Sequence, residues 1–334
     1  MTPPGPLAPS TETAAIIGDR FGLRATEFAA APAARGLCGR VWRLDTADGP
    51  YALKELFWPT DHDERQIRAQ VAFESAARDV GVLSPESFPT LDGDYLCHLP
   101  DGCLVRLFGW IEGDLLTGSD GAAHWLGQTL SGLHRLPNPV VGEPDTRFES
   151  PPDGWDDLLA ALRRQQVAWA DDLAKALPQV LELAALVRPA GRDDWVMCHQ
   201  DIVPSNVMRT PAGDLVLIDW DNTGPALADQ ELAAALMNWH VVGDHVDTEG
   251  IAATLAAYEA GGGPARLTGR AAFSAYLGAF LADLRTQATV AISDDLDAEH
   301  REVAVARVAH RLAGLPGTAT LDEVLRLDRQ RSTT

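Results

Sequence analysis

Cys198-His199-Gln200-Asp201-Ile202-Val203-Pro204-Ser205-Asn206-Val207-Met208-Arg209-Thr210-Pro211-Ala212-Gly213-Asp214-Leu215-Val216-Leu217-Ile218-Asp219-Trp220-Asp221 is the stretch from which the fold is read. Leu215 to Ile218 is wholly apolar, as a buried strand is. Val207 to Thr210 suits a partner strand, and Pro211-Ala212-Gly213-Asp214 has turn composition. The pairing expected from that turn sets Thr210 against Leu215 and Val207 against Ile218. Asn206 and Asp219 then lie opposite each other at the open end. Facing residues of antiparallel strands lie about 4.5–5.5 Å apart. A carboxylate and an amide oxygen at that separation can share a hard cation such as Mg²⁺, which takes oxygen ligands and keeps room for phosphate and water. Asp201 stands five residues before Asn206, in a loop stiffened by Pro204. It can approach the same metal from outside the hairpin.

The stretch resembles the aminoglycoside phosphotransferase and choline kinase-like superfamily, whose members carry His-x-Asp-x-x-x-x-Asn followed by Ile-Asp-[Phe/Trp]. The matching residues are His199, Asp201, Asn206, Ile218, Asp219 and Trp220. The resemblance implies an α+β fold of two lobes, protein-kinase-like, with a small β-rich N-lobe and a larger, mainly helical C-lobe. It implies ATP and Mg²⁺ as cofactors, Asp201 as catalytic base, Asn206 and Asp219 as metal ligands, and His199 as a buttress of the loop. Position 200 is commonly Gly in the family and is Gln here, a departure expected to leave the chemistry alone.

The rest of the chain extends this reading. Val41 to Thr46 and Tyr51 to Phe57 read as a hairpin around Ala47-Asp48-Gly49-Pro50. Ala52 and Lys54 share one face of the second strand. A small residue and a cation there suit adenine and phosphates, as the strand lysine does in kinases. Gly36-Leu37-Cys38-Gly39 lets backbone N–H groups approach phosphates or makes a plain turn. The family's strand lysine pairs with a helical glutamate. By spacing, Gln70 takes that position, with Glu74 one turn later and Glu64 earlier, so Glu74 is the expected partner of Lys54. Leu107 to Gly113 resembles the family's hinge, which gives the backbone of Gly109 and Ile111 to the adenine edge. Leu126-Gly127-Gln128-Thr129-Leu130-Ser131-Gly132-Leu133-His134 is similar to the family's Leu-Gly-x-x-Leu-x-x-Leu-His helix, with His134 packed structurally. Gly224-Pro225 and Glu231-Leu232-Ala233 also fit, so the resemblance covers about residues 36–235.

A strand-rich first third and a helix-rich remainder divide the chain. Residues 1–20 form a tail and short helix, with Ser10 or Thr11 as N-cap; 21–108 the nucleotide-binding N-lobe; 109–113 the hinge; and 114–334 the helical C-lobe with the catalytic loop and acceptor site. Helices are expected over 122–136, 155–177, 230–239, 251–260, 271–292 and 300–315. ATP is expected between the lobes.

Lys and Arg total 27 against 48 Asp and Glu, a formal charge of −21. That surface repels nucleic acid and anionic membranes and attracts cations. Cys38, Cys97, Cys103 and Cys198 have neither zinc-site nor disulfide-scaffold spacing, and the N-terminus has no signal-peptide pattern. A cytoplasmic location is expected. The chain lacks a P-loop and a Gly-x-Ser-x-Gly elbow. His240, Asp244, His245 and Asp247 cluster in sequence, as a metal site or a solvated loop would. The expected activity is phosphorylation of a small-molecule hydroxyl. An aminoglycoside or other cationic antibiotic leads, with Asp221 as the first carboxylate to meet it. The alternatives are a metabolic alcohol (choline, homoserine or a sugar) and a non-catalytic nucleotide-binding regulator.

Overall fold

The computed structural model describes residues 9–28, 32–35, 39–57, 64–119, 121–137, 139–143, 149–189, 194–293 and 298–331, with Leu7 and Leu296. The chain divides into two compact units. One comprises Met1–Leu116 with Ser205–Asp221, the other Thr117–Pro204 with Asn222–Thr334. Cys38 and the residues Gly36 and Leu37 lie outside the described residues.

The first unit opens with helix α1 (Thr11–Phe21), where Ser10 accepts the Thr13 N–H as N-cap. Strands β1 (Ala25–Phe28), β2 (Ala34–Arg35), β3 (Gly39–Thr46) and β4 (Gly49–Leu56) follow, then helix α2 (Glu64–Asp79) and strands β5 (Ser87–Phe88), β6 (Cys97–His98), β7 (Leu104–Gly109) and β8 (Asp114–Leu115). The sheet order is β1-β3-β4-β7-β5, with β2 on β3 and β6 on β7. β3 and β4 form the expected hairpin, closed at the Thr46–Gly49 pair, where Gly49 takes φ +119°. Trp42, Leu44, Leu53, Val105 and Leu107 bury one sheet face against Ile17 and Phe21 of α1. Glu55 lies inside this core. Its carboxylate accepts the Leu7 N–H and the Trp42 indole N–H and meets Arg40 at 3.3 Å, which satisfies a charge that burial alone would expel.

The decisive stretch is a hairpin in this unit, β10 (Val207–Arg209) with β11 (Leu215–Leu217), extended by β8. Its register differs by one residue from the sequence expectation: Val207 faces Leu217 and Arg209 faces Leu215. The turn explains the shift. Thr210 N–H bonds to the Asp214 carbonyl, closing a three-residue loop that ends at Gly213 with φ +91°. Asn206 therefore opposes Ile218, whose N–H it accepts at 2.9 Å, and Asp219 is one residue beyond.

The second unit pairs β9 (Trp195–Cys198) with β12 (Gly224–Leu227). Its helices are α3 (Ala123–His134), α4 (Trp155–Arg164), α5 (Ala170–Ala184), α6 (Ala228–His240), α7 (Thr248–Ala260), α8 (Ser274–Val290), α9 (Ala298–Ala313) and α10 (Thr318–Arg331). The single helix expected over 155–177 is two, α4 and α5. The apolar pattern runs through Leu158, Leu162, Val167 and Leu173 without glycine or proline, but Gln166 turns to φ +56° and breaks the helix. Pro178, which reads as a stop, lies inside α5. Among the described residues no helix is long and apolar enough to cross a membrane.

The motif glycine of α3 has a packing reason. A Cβ on Gly127 would stand 2.2 Å from the Thr254 carbonyl oxygen and 2.8 Å from the Tyr258 nitrogen, both backbone atoms of α7. Leu126, Leu130 and Leu133 are fully buried on the same helix. Gly127→Ala is expected to destabilise the protein by about 1–3 kcal/mol, the usual cost of overpacking, read as a lower denaturant midpoint. An unchanged midpoint would contradict the close approach.

Candidate active site

The strand register brings two cations together. Lys54 on β4 pairs with Arg106 on β7, so their side chains emerge side by side on one sheet face. Two carboxylates from the turn after β11 answer them. Lys54 Nζ lies 2.6 Å from Asp219 Oδ1 and 2.7 Å from Asp221 Oδ2, and Arg106 Nη1 lies 2.6 Å from Asp221 Oδ1. Burial opposes the ammonium, but Asp221 and then Asp219 outweigh it and raise the Lys54 pKa above the usual lysine value. Lys54 is thus a fixed cation.

The turn carrying these carboxylates is anchored on all sides within its unit. Asp219 takes φ +63°, a left-handed conformation uncommon outside glycine, which reverses the chain directly after the strand. Leu217 N–H bonds to the Leu83 carbonyl and Trp220 Nε1 to the Leu217 carbonyl. Trp220 packs edge-on to Phe73 of α2 at 6.1 Å between ring centroids. The Gln70 amide, also from α2, donates to the Asp221 main-chain oxygen at 2.9 Å. Asn206 lies opposite Ile218, one residue before Asp219, and its main-chain carbonyl accepts the Ile218 N–H at 2.9 Å.

Two sequence-predicted residues, Glu74 and Asp221, are placed differently from their expected contacts. Glu74 does not meet Lys54: its buried carboxylate is held by Arg78 and by the Ser87 hydroxyl, while burial pushes its pKa up. Asp221, offered by the sequence to a cationic acceptor, has its carboxylate taken by Lys54 and Arg106. Gly109 ends β7, and its N–H already donates to the Glu86 carbonyl at 2.8 Å. Ile111 follows the strand, partly exposed. Arg106 went unremarked in the sequence; the signal for it is its register opposite Lys54, which depends on a pairing the sequence does not display.

In the second unit the loop after β9 carries His199, Gln200 and Asp201. His199 is fully buried, and its Nδ1 accepts the Asp201 N–H at 3.3 Å. Asn222 Nδ2 donates to Asp201 Oδ2 at 3.3 Å. Gln200 takes φ +65°, which accounts for glycine being common at this position in the family the stretch resembles. The loop hangs on Glu231 of α6, whose carboxylate accepts the Gln200 N–H and faces His134 Nε2 at 2.7 Å. The His134 Nδ1 meets the Tyr258 hydroxyl at 2.8 Å, and that hydroxyl accepts the Ala265 N–H.

His134, Cys198 and Glu231 come close enough to resemble a metal cluster. Both His134 nitrogens are committed to hydrogen bonds, and burial followed by Glu231 keeps Cys198 as a thiol well above its usual pKa. The trio is a structural support. The other candidate cluster disperses. His240 bonds Thr254 and Asp247, Asp247 caps α7 through Gly250 N–H, and Asp244 receives the Gly317 N–H and the Thr320 hydroxyl.

Residues 30–276 match the family described as "Phosphotransferase enzyme family". A spectinomycin phosphotransferase solved with ADP and spectinomycin is similar in fold, at TM-score 0.63 and 14% identity, over 99% of this chain and 100% of that one. An aminoglycoside phosphotransferase from Alicyclobacillus acidocaldarius gives 0.56 at 18% identity, over 99% and 98% of the two chains. A microcompartment-associated aminopropanol kinase gives 0.56 at 16% identity, over 90% and 94%. No curated protein matches the sequence. These structures share the two-part kinase-like α+β fold expected from the sequence.

Glu231 provides a pH test. Burial opposes its charge, but the His134 hydrogen bond and charge and the Gln200 N–H outweigh it, so its pKa lies below the ordinary carboxylate value. A depressed pKa contributes stability that is present above the unfolded-state value and lost as pH falls through the folded one. Glu231→Gln cannot accept from both His134 and Gln200 with its single oxygen. It is expected to cost about 1–3 kcal/mol at neutral pH, as an unsatisfied buried donor does. The gap to the parent protein should close as pH falls through the Glu231 pKa. A gap constant with pH in denaturant titrations would contradict the ionised carboxylate.

Proposed function

The chain belongs to the phosphotransferase enzyme family, and from that premise we propose that it transfers the γ-phosphoryl group of Mg²⁺-bound ATP to a hydroxyl of a small molecule. The observation that carries this reading is Lys54 held against Asp219 and Asp221, a strand cation meeting carboxylates of the turn that follows the motif strand. Lys54 would meet the nucleotide phosphates, and Asn206 and Asp219 would hold Mg²⁺, which neutralises charge on the transferring group. Asp201 would accept the acceptor hydroxyl's proton as its oxygen bonds to the γ-phosphorus. The bond from that phosphorus to the bridging oxygen breaks, and ADP leaves with the electron pair.

The acceptor class favoured is an aminoglycoside or another cationic antibiotic. The chain's net charge of −21 supports it, and a spectinomycin phosphotransferase is among the proteins of similar fold. A small amino alcohol is the second reading, favoured by the fold's likeness to an aminopropanol kinase. Both are hydroxyl-bearing cations, so raising salt should weaken acceptor binding more than a neutral ligand would show. A neutral acceptor turned over well and without salt dependence would contradict this class.

Two variants separate binding from chemistry. Asp219→Ala is expected to weaken Mg²⁺-dependent nucleotide binding and abolish transfer. Asp201→Ala should bind nucleotide nearly as the parent does, yet transfer about 10²–10⁴-fold more slowly, the usual worth of a positioned base. Nucleotide titrations with and without Mg²⁺, followed by single-turnover transfer, measure both. Equal loss of nucleotide affinity in the two variants would overturn the roles, and full activity in both would overturn the function.

A further inference from the structure

We propose that Asp221 is the carboxylate that orients Lys54 for the nucleotide, a task that falls to the turn after β11 because helix α2 presents Gln70 and, among the described residues, no glutamate reaches the lysine. The inference rests on the kinase reading and names a positioning residue within it.

Three observations converge with the metal assignment proposed above. Lys54 is largely buried, and its two carboxylate partners are Asp219 and Asp221 at 2.6 and 2.7 Å. Asp219 is the residue assigned to the metal; once it turns to a divalent cation, Asp221 is the carboxylate left on the lysine. Glu74, the nearest carboxylate candidate on α2, is occupied by Arg78 and Ser87. Gln70 is almost fully buried, and its amide points at the Asp221 main chain.

Asp221 is also built to stay in place. Arg106, 3% exposed, takes its other oxygen at 2.6 Å, and the guanidinium stacks over Phe108 at 5.0 Å from the ring centroid. One carboxylate thus bridges two cations on neighbouring strands, while Gln70 fixes its backbone. An amide at position 70 suits this arrangement. It donates to the Asp221 carbonyl where a glutamate would present a second negative oxygen. The helix still reaches the site, acting through the main chain of Asp221 and leaving Lys54 to the carboxylate.

The consequence is a division between neighbouring carboxylates. Asp219 answers to the metal and Asp221 to the lysine, and the acceptor has no claim on Asp221. Loss of Asp221 should therefore mark nucleotide steps and spare acceptor affinity.

The experiment uses the full-length chain with Asp221→Asn and, separately, Asp221→Glu, alongside the parent. Mg²⁺-ATP titration, the KM for ATP, the KM for the acceptor and the thermal midpoint are read for each. Asp221→Asn is expected to lower kcat/KM for ATP by about 10²-fold, the scale of a misplaced reacting group, with the acceptor KM unchanged. Asp221→Glu keeps a carboxylate at this position and should retain about tenfold or more of the ATP kcat/KM that Asp221→Asn loses, a result that loss of fold alone would not give. ATP kinetics within about twofold of the parent in Asp221→Asn, or a rise confined to the acceptor KM, overturns the proposal. If Asp221→Asn unfolds, Asp221→Glu and Lys54→Met are read in its place. An acceptor-selective loss in the first, or unimpaired ATP use in the second, overturns it equally. A parent protein that binds no Mg²⁺-ATP would instead overturn the kinase reading, so the two failures are distinct.

Discussion

Two like charges on adjacent strands set the terms for the first unit. At about 4 Å and an effective dielectric of about 20, two unit charges interact by about 4 kcal/mol. Lys54 and Arg106, paired across β4 and β7, are tolerable only because Asp219 and Asp221 arrive from the turn after β11. That requirement reaches far. It demands the left-handed backbone at Asp219, the Leu83–Leu217 hydrogen bond that docks the hairpin, and the Phe73–Trp220 contact that fixes the turn. It also leaves four charges balanced, two of each sign, so neither cation is stranded without a carboxylate.

The second unit solves a different problem. Its catalytic-loop candidate is tied to a buried polar chain. Tyr258 to His134 to Glu231 to the Gln200 N–H is fully satisfied, and each link comes from a different element. Such networks fix one geometry because any broken link leaves a buried donor or charge unpaired. Gly127 lets α3 and α7 approach closely enough for His134 and Tyr258 to meet.

The fold class and family are legible in the sequence because the chemistry-bearing residues sit at fixed spacings in one short stretch. The strand lysine was legible for the same reason, since its hairpin is announced by Asp48-Gly49. The lysine's partners were not. Which carboxylate meets Lys54 depends on where a distant turn docks, and no local period encodes that. Arg106 is hidden likewise, in a run of apolar strand residues whose pairing partner is fifty-odd positions away. The one-residue register shift came from turn geometry: the composition Pro211-Ala212-Gly213-Asp214 announces a turn but not which residue closes it. The split between α4 and α5 was invisible because Gln166 adopts a conformation its identity does not favour.

The most direct measurement is a crystal structure of the full chain with Mg²⁺ and a non-hydrolysable ATP analogue. The account expects Mg²⁺ at about 2.1 Å from oxygens of Asn206 and Asp219, the phosphates against Lys54, and Asp221 still bridging Lys54 and Arg106. A nucleotide bound elsewhere, or bound with Asp219 still paired to Lys54 and no metal on Asn206, would contradict it.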